Sequence, residues 1–128
     1  MRTILLISLV FLLIAQLSCT KEEVLPREYS RIKSLGVVEI KSTGCVFQGE
    51  IFYLAPGTAE FGFVWSDAGF PTIENGEKMS SGIPTRTAKY DTPLVTKITV
   101  GKTYTMRAYA ISNGYVVYGD AIDFVLEK

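Results

Sequence analysis

The chain has no histidine and only two cysteines in 128 residues. Histidine is the commonest general base near neutral pH and the commonest metal ligand, so both kinds of chemistry lose their usual carrier. The cysteines are Cys19 and Cys45, and Cys19 stands at the end of an apolar run rather than inside the later pattern. With Cys19 set apart, Cys45 has no partner for an intramolecular disulfide, and the fold must rest on packing alone. Charge of one sign is also missing. The 13 basic and 13 acidic residues cancel, and neither kind forms a run. Without a basic patch interleaved with aromatics, nucleic acid is not an expected partner. The glycines sit singly in turns, so there is no phosphate-cradling loop. No Asp-rich loop has calcium-ligand spacing. No stretch keeps a helical period for more than a turn or two, and there is no internal repeat.

What is present begins with a short positive start, Met1-Arg2, and a nearly unbroken apolar run over residues 4–17. Ser18 is a small residue before Cys19, and the chain turns polar at once in Thr20-Lys21-Glu22-Glu23. A basic start, an apolar centre and a small-residue cleavage site make a secretory signal. The run falls short of the about 20 apolar residues of a transmembrane helix. With cysteine after the cleavage site, the segment resembles a bacterial lipoprotein signal. It departs from that pattern in one place: Gln16 stands where such signals usually carry leucine, and Leu17 comes one residue later. The resemblance implies that Cys19 becomes the first residue of the mature protein and carries fatty acyl chains such as palmitate, which hold it on a membrane. Lys21-Glu22-Glu23 resembles an export signal used in one phylum of Gram-negative bacteria. There, a lysine and two acidic residues after the lipidated cysteine direct a protein to the outer face of the outer membrane. The implied location is a lipid anchor in the outer membrane, with the domain exposed at the cell surface.

Removing 18 residues leaves a mature chain of 110, enough for one domain with a single core. Residues 19–33 are polar, carry Pro26 and read as the lipidated cysteine and its tether. From residue 34 to 128 turn signals recur at short intervals, among them Thr43-Gly44, Pro56-Gly57, Asn75-Gly76, Val100-Gly101 and Asn113-Gly114. The runs between them predict strands over residues 34–41, 45–54, 58–66, 78–81, 85–90, 92–99, 102–112 and 115–126. Short strands with turns between them indicate a sandwich or barrel. In residues 45–54, alternation puts Cys45, Phe47, Gly49 and Ile51 on one face. Asn113-Gly114 is a favoured two-residue hairpin turn.

The most specific segment is Gly101-Lys102-Thr103-Tyr104-Thr105-Met106-Arg107-Ala108-Tyr109-Ala110, in which Tyr104, Met106, Ala108 and Ala110 share a face. A tyrosine opening the penultimate strand of a sandwich resembles the tyrosine corner, whose hydroxyl bonds back to the preceding connection. Together with Phe61-Gly62-Phe63-Val64-Trp65-Ser66 and Pro71-Thr72-Ile73, this segment resembles the fibronectin type III-like modules of lipoproteins and surface proteins in the same phylum. Two features depart from that pattern. Val100 replaces the usual leucine and no proline precedes the turn, and residues 74–91 match only loosely. The resemblance spans nearly all of residues 34–128. It implies an all-β, immunoglobulin-like (fibronectin type III-like) two-sheet antiparallel sandwich of about seven strands.

No reaction centre emerges. The serines have no histidine to serve them, and Cys45 beside Phe47 and Ile51 reads as a small buried core residue. Asp120 and Asp123 point to opposite faces of a strand, and Asp67 and Glu74 bracket one loop where turn-forming roles suffice. No cofactor is expected. The remaining candidates are aromatic. Trp65 could fill the space between the sheets or lie exposed. Arg107 and Tyr109 are expected on the outward face, opposite Tyr104, with Tyr115 and Tyr118 nearby. Such a strip suits a protein or sugar partner, and equally the cross-strand pairing of an exposed sheet face. Phe70, beside Pro71 in a loop, is the other candidate contact. The functional expectation is a non-enzymatic, lipid-anchored cell-envelope protein presenting its sandwich for protein binding or adhesion. The rival is a carbohydrate-binding accessory lipoprotein of an outer-membrane glycan uptake system. Cells fed labelled palmitate should label the wild type and not Cys19→Ala. Equal labelling and membrane retention of the mutant would remove the anchor.

Overall fold

The computed structural model describes residues 28–127. Cys19, Lys21, Glu22 and Glu23 therefore lie outside the described residues. The strands are β1 (Arg31–Lys41), β2 (Gly44–Tyr53), β3 (Thr58–Ser66), β4 (Glu77–Gly82), β5 (Ala88–Leu94), β6 (Thr103–Ser112), β7 (Tyr115–Tyr118) and β8 (Ile122–Val125). They form two antiparallel sheets, one ordered β1-β2-β5 and the other β4-β3-β6-β7, with β8 also on β6. The chain is thus an all-β, two-sheet antiparallel sandwich of the immunoglobulin-like kind, where turn spacing alone predicts a sandwich or a barrel.

The expected seven strands appear because β7 and β8 act as one. β7 pairs with residues 109–112 of β6, and β8 pairs with residues 103–106. The interruption falls at Gly119, whose amide donates to the Ala108 carbonyl at 2.8 Å. Ser34 of β1 reaches into the same gap and accepts the Ala108 amide on its Oγ at 2.9 Å. A Cβ on residue 119 would sit 2.5 Å from the Ser34 nitrogen, so only glycine allows β1 this close. Other boundaries moved as well. β1 starts at Arg31 rather than residue 34, and the runs expected over 85–90 and 92–99 are replaced by the single strand β5, which carries Pro93 on a sheet edge. The edge position explains the tolerance, since no neighbouring strand asks for the missing amide there.

Alternation places the core as expected on β2, with Cys45, Phe47 and Ile51 buried, and on β6, with Tyr104, Met106, Ala108 and Ala110 buried. Trp65 is core, with only 3% of its surface exposed. Tyr104 forms the expected corner, its hydroxyl accepting the Thr99 amide at 2.7 Å. At the Asn113-Gly114 turn both residues have positive φ, 51° and 82°, the pair required by a tight hairpin.

A second, polar core lies at the end where the chain joins the sandwich. Ser30, Thr58 and Ser112 are buried. The Thr58 hydroxyl donates to the Ala55 carbonyl at 2.7 Å. Its oxygen therefore receives from its neighbours, Ser30 at 2.7 Å and Ser112 at 2.9 Å. The Ser30 oxygen in turn accepts the Ala55 amide, and the Ser112 oxygen accepts the Ser30 amide. Every proton is used, so this buried network is not left half-satisfied. It joins the start of β1 to both ends of the β2–β3 turn and to the end of β6.

One expectation fails. Tyr109 was expected to face outward, and it is fully buried. It does occupy the face opposite Tyr104, paired across from Gly62 on β3 and Tyr118 on β7. Glu60 on β3 and Ser80 on β4 flank its hydroxyl there. Among the described residues that hydroxyl makes no hydrogen bond of good geometry. Burial, with the nearby Glu60 carboxylate, pushes its pKa above the ordinary tyrosine value.

Tyr104→Phe should leave the Thr99 amide short of an acceptor and cost about 1–3 kcal/mol. Tyr109→Phe removes a hydroxyl that makes no well-formed bond and should cost less than about 1 kcal/mol. Denaturant midpoints at unchanged slope will separate the two. A larger loss for Tyr109→Phe would mean that its hydroxyl has a partner after all.

Candidate functional site

Two surfaces collect the residues able to recognise something. The first lies on the outer face of the five-stranded sheet. The Arg107 guanidinium stands 4.3 Å from the Tyr118 ring centroid and 5.9 Å from that of Phe70. Its Nε donates to the Gly119 carbonyl at 3.2 Å, which fixes the plane of the group. The Tyr118 hydroxyl accepts the Ile73 amide at 3.0 Å, fastening the β3–β4 loop across the sheet. That loop braces itself. The Thr72 amide donates to Asn75 Oδ1 at 2.7 Å, the Asn75 amide returns to Thr72 Oγ1 at 3.2 Å, and the Gly76 amide reaches the Thr72 carbonyl at 3.0 Å. Pro71 is buried beneath it, while Phe70 remains 74% exposed.

Of the sequence candidates, the structure thus brings Phe70, Arg107 and Tyr118 together, with Tyr109 on the same face but buried. Tyr115 does not join them. It has the opposite parity on β7, across from Ser112, and meets Tyr29 with ring centroids 6.2 Å apart. The reason is the two-residue period of a strand, which separates Tyr115 from Tyr118.

The second surface was not anticipated as a site. β1 runs from Ser30 towards residues 42–43, and the antiparallel order then puts residues 42–43, 67–76 and 95–102 at one end of the sandwich. This is the far end from Ser30. A cleft of about 500 Å³ opens there between the β3–β4 and β5–β6 loops. Asp67, Glu74, Asn75, Glu77, Lys97 and Lys102 line it, with Trp65 and Tyr104 on the inner side. Two ion pairs join the loops, Lys97–Glu77 at 2.9 Å and Lys102–Asp67. Lys102 beside Asp67 holds the carboxyl below its usual range, and Asp67 raises the lysine. All four side chains are at least 42% exposed, so these pairs orient the loops more than they stabilise the fold. The Trp65 indole N–H is buried with no partner among the described residues, an unmet donor in the wall of a polar cleft. Sequence reading marked Asp67 and Glu74 as bracketing one loop. It missed the lysines, because they arrive from a loop some thirty residues later, at Lys97 and Lys102. Among the described residues, no group of three His, Cys, Asp or Glu side chains is placed to hold a metal ion.

Fold and surfaces together define an immunoglobulin-like β-sandwich domain with a charged far-end cleft. No protein-family model matches the chain, and no curated protein matches it. Among solved structures, the sensor domain of the anti-sigma factor RsgI4 of Pseudobacteroides cellulosolvens is similar. A short form of that domain aligns with a TM-score of 0.60 at 15% identity, covering 82% of this chain and 98% of that one. Its solution structure aligns with a TM-score of 0.58 at 14% identity, covering 77% and 76%. Likeness at such identity concerns the fold alone.

Tyr118→Phe should free the Ile73 amide, cost about 1 kcal/mol and speed hydrogen exchange across the β3–β4 loop. Phe70→Ser should stay within about 0.5 kcal/mol of the wild type. Exchange rates at Ile73 unchanged by Tyr118→Phe would show that the loop is held elsewhere.

Proposed function

We propose that this protein is a non-enzymatic, lipid-anchored cell-envelope lipoprotein that presents a fibronectin type III-like sandwich to a protein partner at the surface of the outer membrane. The observation that carries the proposal is the polarity of the fold. The N-terminal chain joins the sandwich at Ser30, and a cleft of about 500 Å³ with a charged rim opens at the opposite end. A domain tethered through Cys19 would therefore hold its recognition surface away from the bilayer. Alternating Asp67, Glu77, Lys97 and Lys102 give a partner both signs of charge to match, which favours specificity and correct register over raw affinity.

The carbohydrate-binding alternative draws on one observation, the unpartnered Trp65 N–H in a cleft rich in polar side chains. A sugar hydroxyl could accept from it. Against that reading, Trp65 is buried and offers no ring face for a sugar to stack on. Among the described residues the exposed aromatics are Phe70 on one face and Tyr29, Phe52 and Tyr115 near the other end, and the Tyr29 and Tyr115 rings are tilted by 59°, so those two rings make no planar platform.

A photo-crosslinking residue placed at Asn75 in the lipoprotein on living cells should yield a discrete protein adduct. The same residue at Tyr115 should not. Glu77→Lys should remove the Asn75 adduct while leaving the folded protein at the cell surface. If Asn75 gives no adduct and the mature protein binds a defined sugar on a glycan array, the carbohydrate reading takes its place. Adducts from Tyr115 alone would overturn the far-end site.

A further inference from the structure

The near end of the sandwich, around Ser30, has its own chemistry. Tyr29 is 42% exposed and Tyr115 52%, and their rings meet. A hollow of about 220 Å³ separates Tyr29 from Phe52, with Val117 and Tyr118 on its wall. The Phe52 ring lies under two cations, the Arg31 guanidinium at 5.1 Å and the Lys33 ammonium at 4.7 Å. Neither cation has an ion-pair partner among the described residues. Glu50 lies across from Lys33 in register and still makes no pair with it. By contrast, at the far end Lys97 and Lys102 are both paired. One flank thus offers two unpaired cations beside three aromatic side chains, two of them tipped with hydroxyls.

This flank is where the chain leaves the described structure. The Glu28 carbonyl is held by Asn113 Nδ2 at 2.7 Å, and the same amide group holds the Pro56 carbonyl at 2.9 Å. Ser30 is locked into the buried hydroxyl network. Eleven residue steps separate Ser30 from Cys19, a span of at most roughly 40 Å even when fully extended. A bilayer holding acyl chains on Cys19 is therefore always within reach of this end.

We infer that the near-end flank of Tyr29, Arg31, Lys33, Phe52 and Tyr115 is a docking surface for the phospholipid headgroups of the anchoring membrane. Tyrosine rings suit the headgroup layer, with an apolar body below and a hydroxyl in water. Arg31 and Lys33 supply the charge complement of lipid phosphates, and no described carboxylate pairs with either. Tethering turns a weak contact into an intramolecular one at high effective concentration. Docking at this end keeps the charged cleft pointing outward. The inference rests on the lipid-anchor reading, and its test tells the two apart.

The full-length lipoprotein, purified from membranes with its lipid, is placed in vesicles of phosphatidylcholine with or without phosphatidylglycerol. A polarity-sensitive dye is attached at Tyr115→Cys or at Ser42→Cys, and a nitroxide quencher is carried on the lipid headgroups. Cys19 is consumed by its lipid. Cys45 is buried and its thiol is pushed up to about 11, so it does not compete for the dye at neutral pH. Headgroup nitroxide should quench the dye at position 115 and leave that at position 42 bright. Arg31→Glu with Lys33→Glu should lower the docked-to-undocked ratio in phosphatidylglycerol vesicles at least about fivefold, from the usual worth of a cation at an anionic surface. Equal quenching at both positions, or none at 115, in protein that floats with the vesicles would overturn docking and leave the anchor standing. Protein that fails to float would overturn the anchor reading and docking with it.

Discussion

The contact of Phe47 with Phe63 and Phe124 is the junction on which the rest of the molecule depends. Phe47 belongs to the three-stranded sheet, and its two partners, at centroid distances of 5.5 and 5.2 Å, belong to the five-stranded one. From there the aromatic chain continues through Phe124 to Tyr104 and Trp65, and through Phe63 to Tyr90 and Phe61. Cys45 is a free, buried thiol, so no covalent bridge shares the load. Each fully buried large side chain contributes about 1.5–3 kcal/mol, set against a total stability of about 5–15 kcal/mol for a domain. A few rings therefore decide whether two sheets remain one fold. The small residues facing them, Ala108 and Ala110 on β6 and Gly49 on β2, are small because the rings take the space. A Cβ at Gly49 would lie 2.8 Å from the Tyr90 ring.

The two ends of the sandwich are built differently. At the near end buried hydroxyls of Ser30, Thr58 and Ser112 satisfy one another, and side chains of Asn113 and Ser30 fasten the incoming chain. At the far end the joining groups are exposed ion pairs between loops. Buried hydrogen bonds with every proton placed fix a geometry. Exposed ion pairs are exchanged easily for water or for another charged group. The rigid end is the one that receives the chain, and the adaptable end is the one that faces away from it.

Most of the core was legible in the sequence, because a half-buried strand announces itself through alternation. The faces of β2 and β6 and the Tyr104 corner follow directly from it. Tyr109 was misread because parity says which face a residue is on, and says nothing of whether that face is covered. Glu60 on β3 and Ser80 on β4 flank the Tyr109 hydroxyl, and the β3–β4 loop is fastened across the sheet by a contact between Ile73 and Tyr118, 45 residues apart. The runs over residues 85–90 and 92–99 read as separate strands, and only pairing with β2 shows them as one, with Pro93 tolerated at the sheet edge. The far-end cleft was illegible for a similar reason. Its acids and its lysines come from separate loops, and their meeting is a consequence of strand order rather than of spacing. Of the near-end flank only Tyr115 stood out in the sequence, and only the register of β1 on β2 places Arg31 and Lys33 beside Phe52.

The interrupted last strand also has a mechanical side. Ser30 and the end of β8 lie at opposite ends of the sandwich, and both β1 and β8 run along its length. A pull applied at Ser30 and resisted at the far end would act parallel to the strands. The hydrogen bonds between β1 and β2 would then be sheared together rather than opened one after another. Ser34, wedged into the gap at Gly119, would add a catch between the two sheets part-way along the same line. The seam that lets β1 approach so closely is also the place where tension would pass from one sheet to the other.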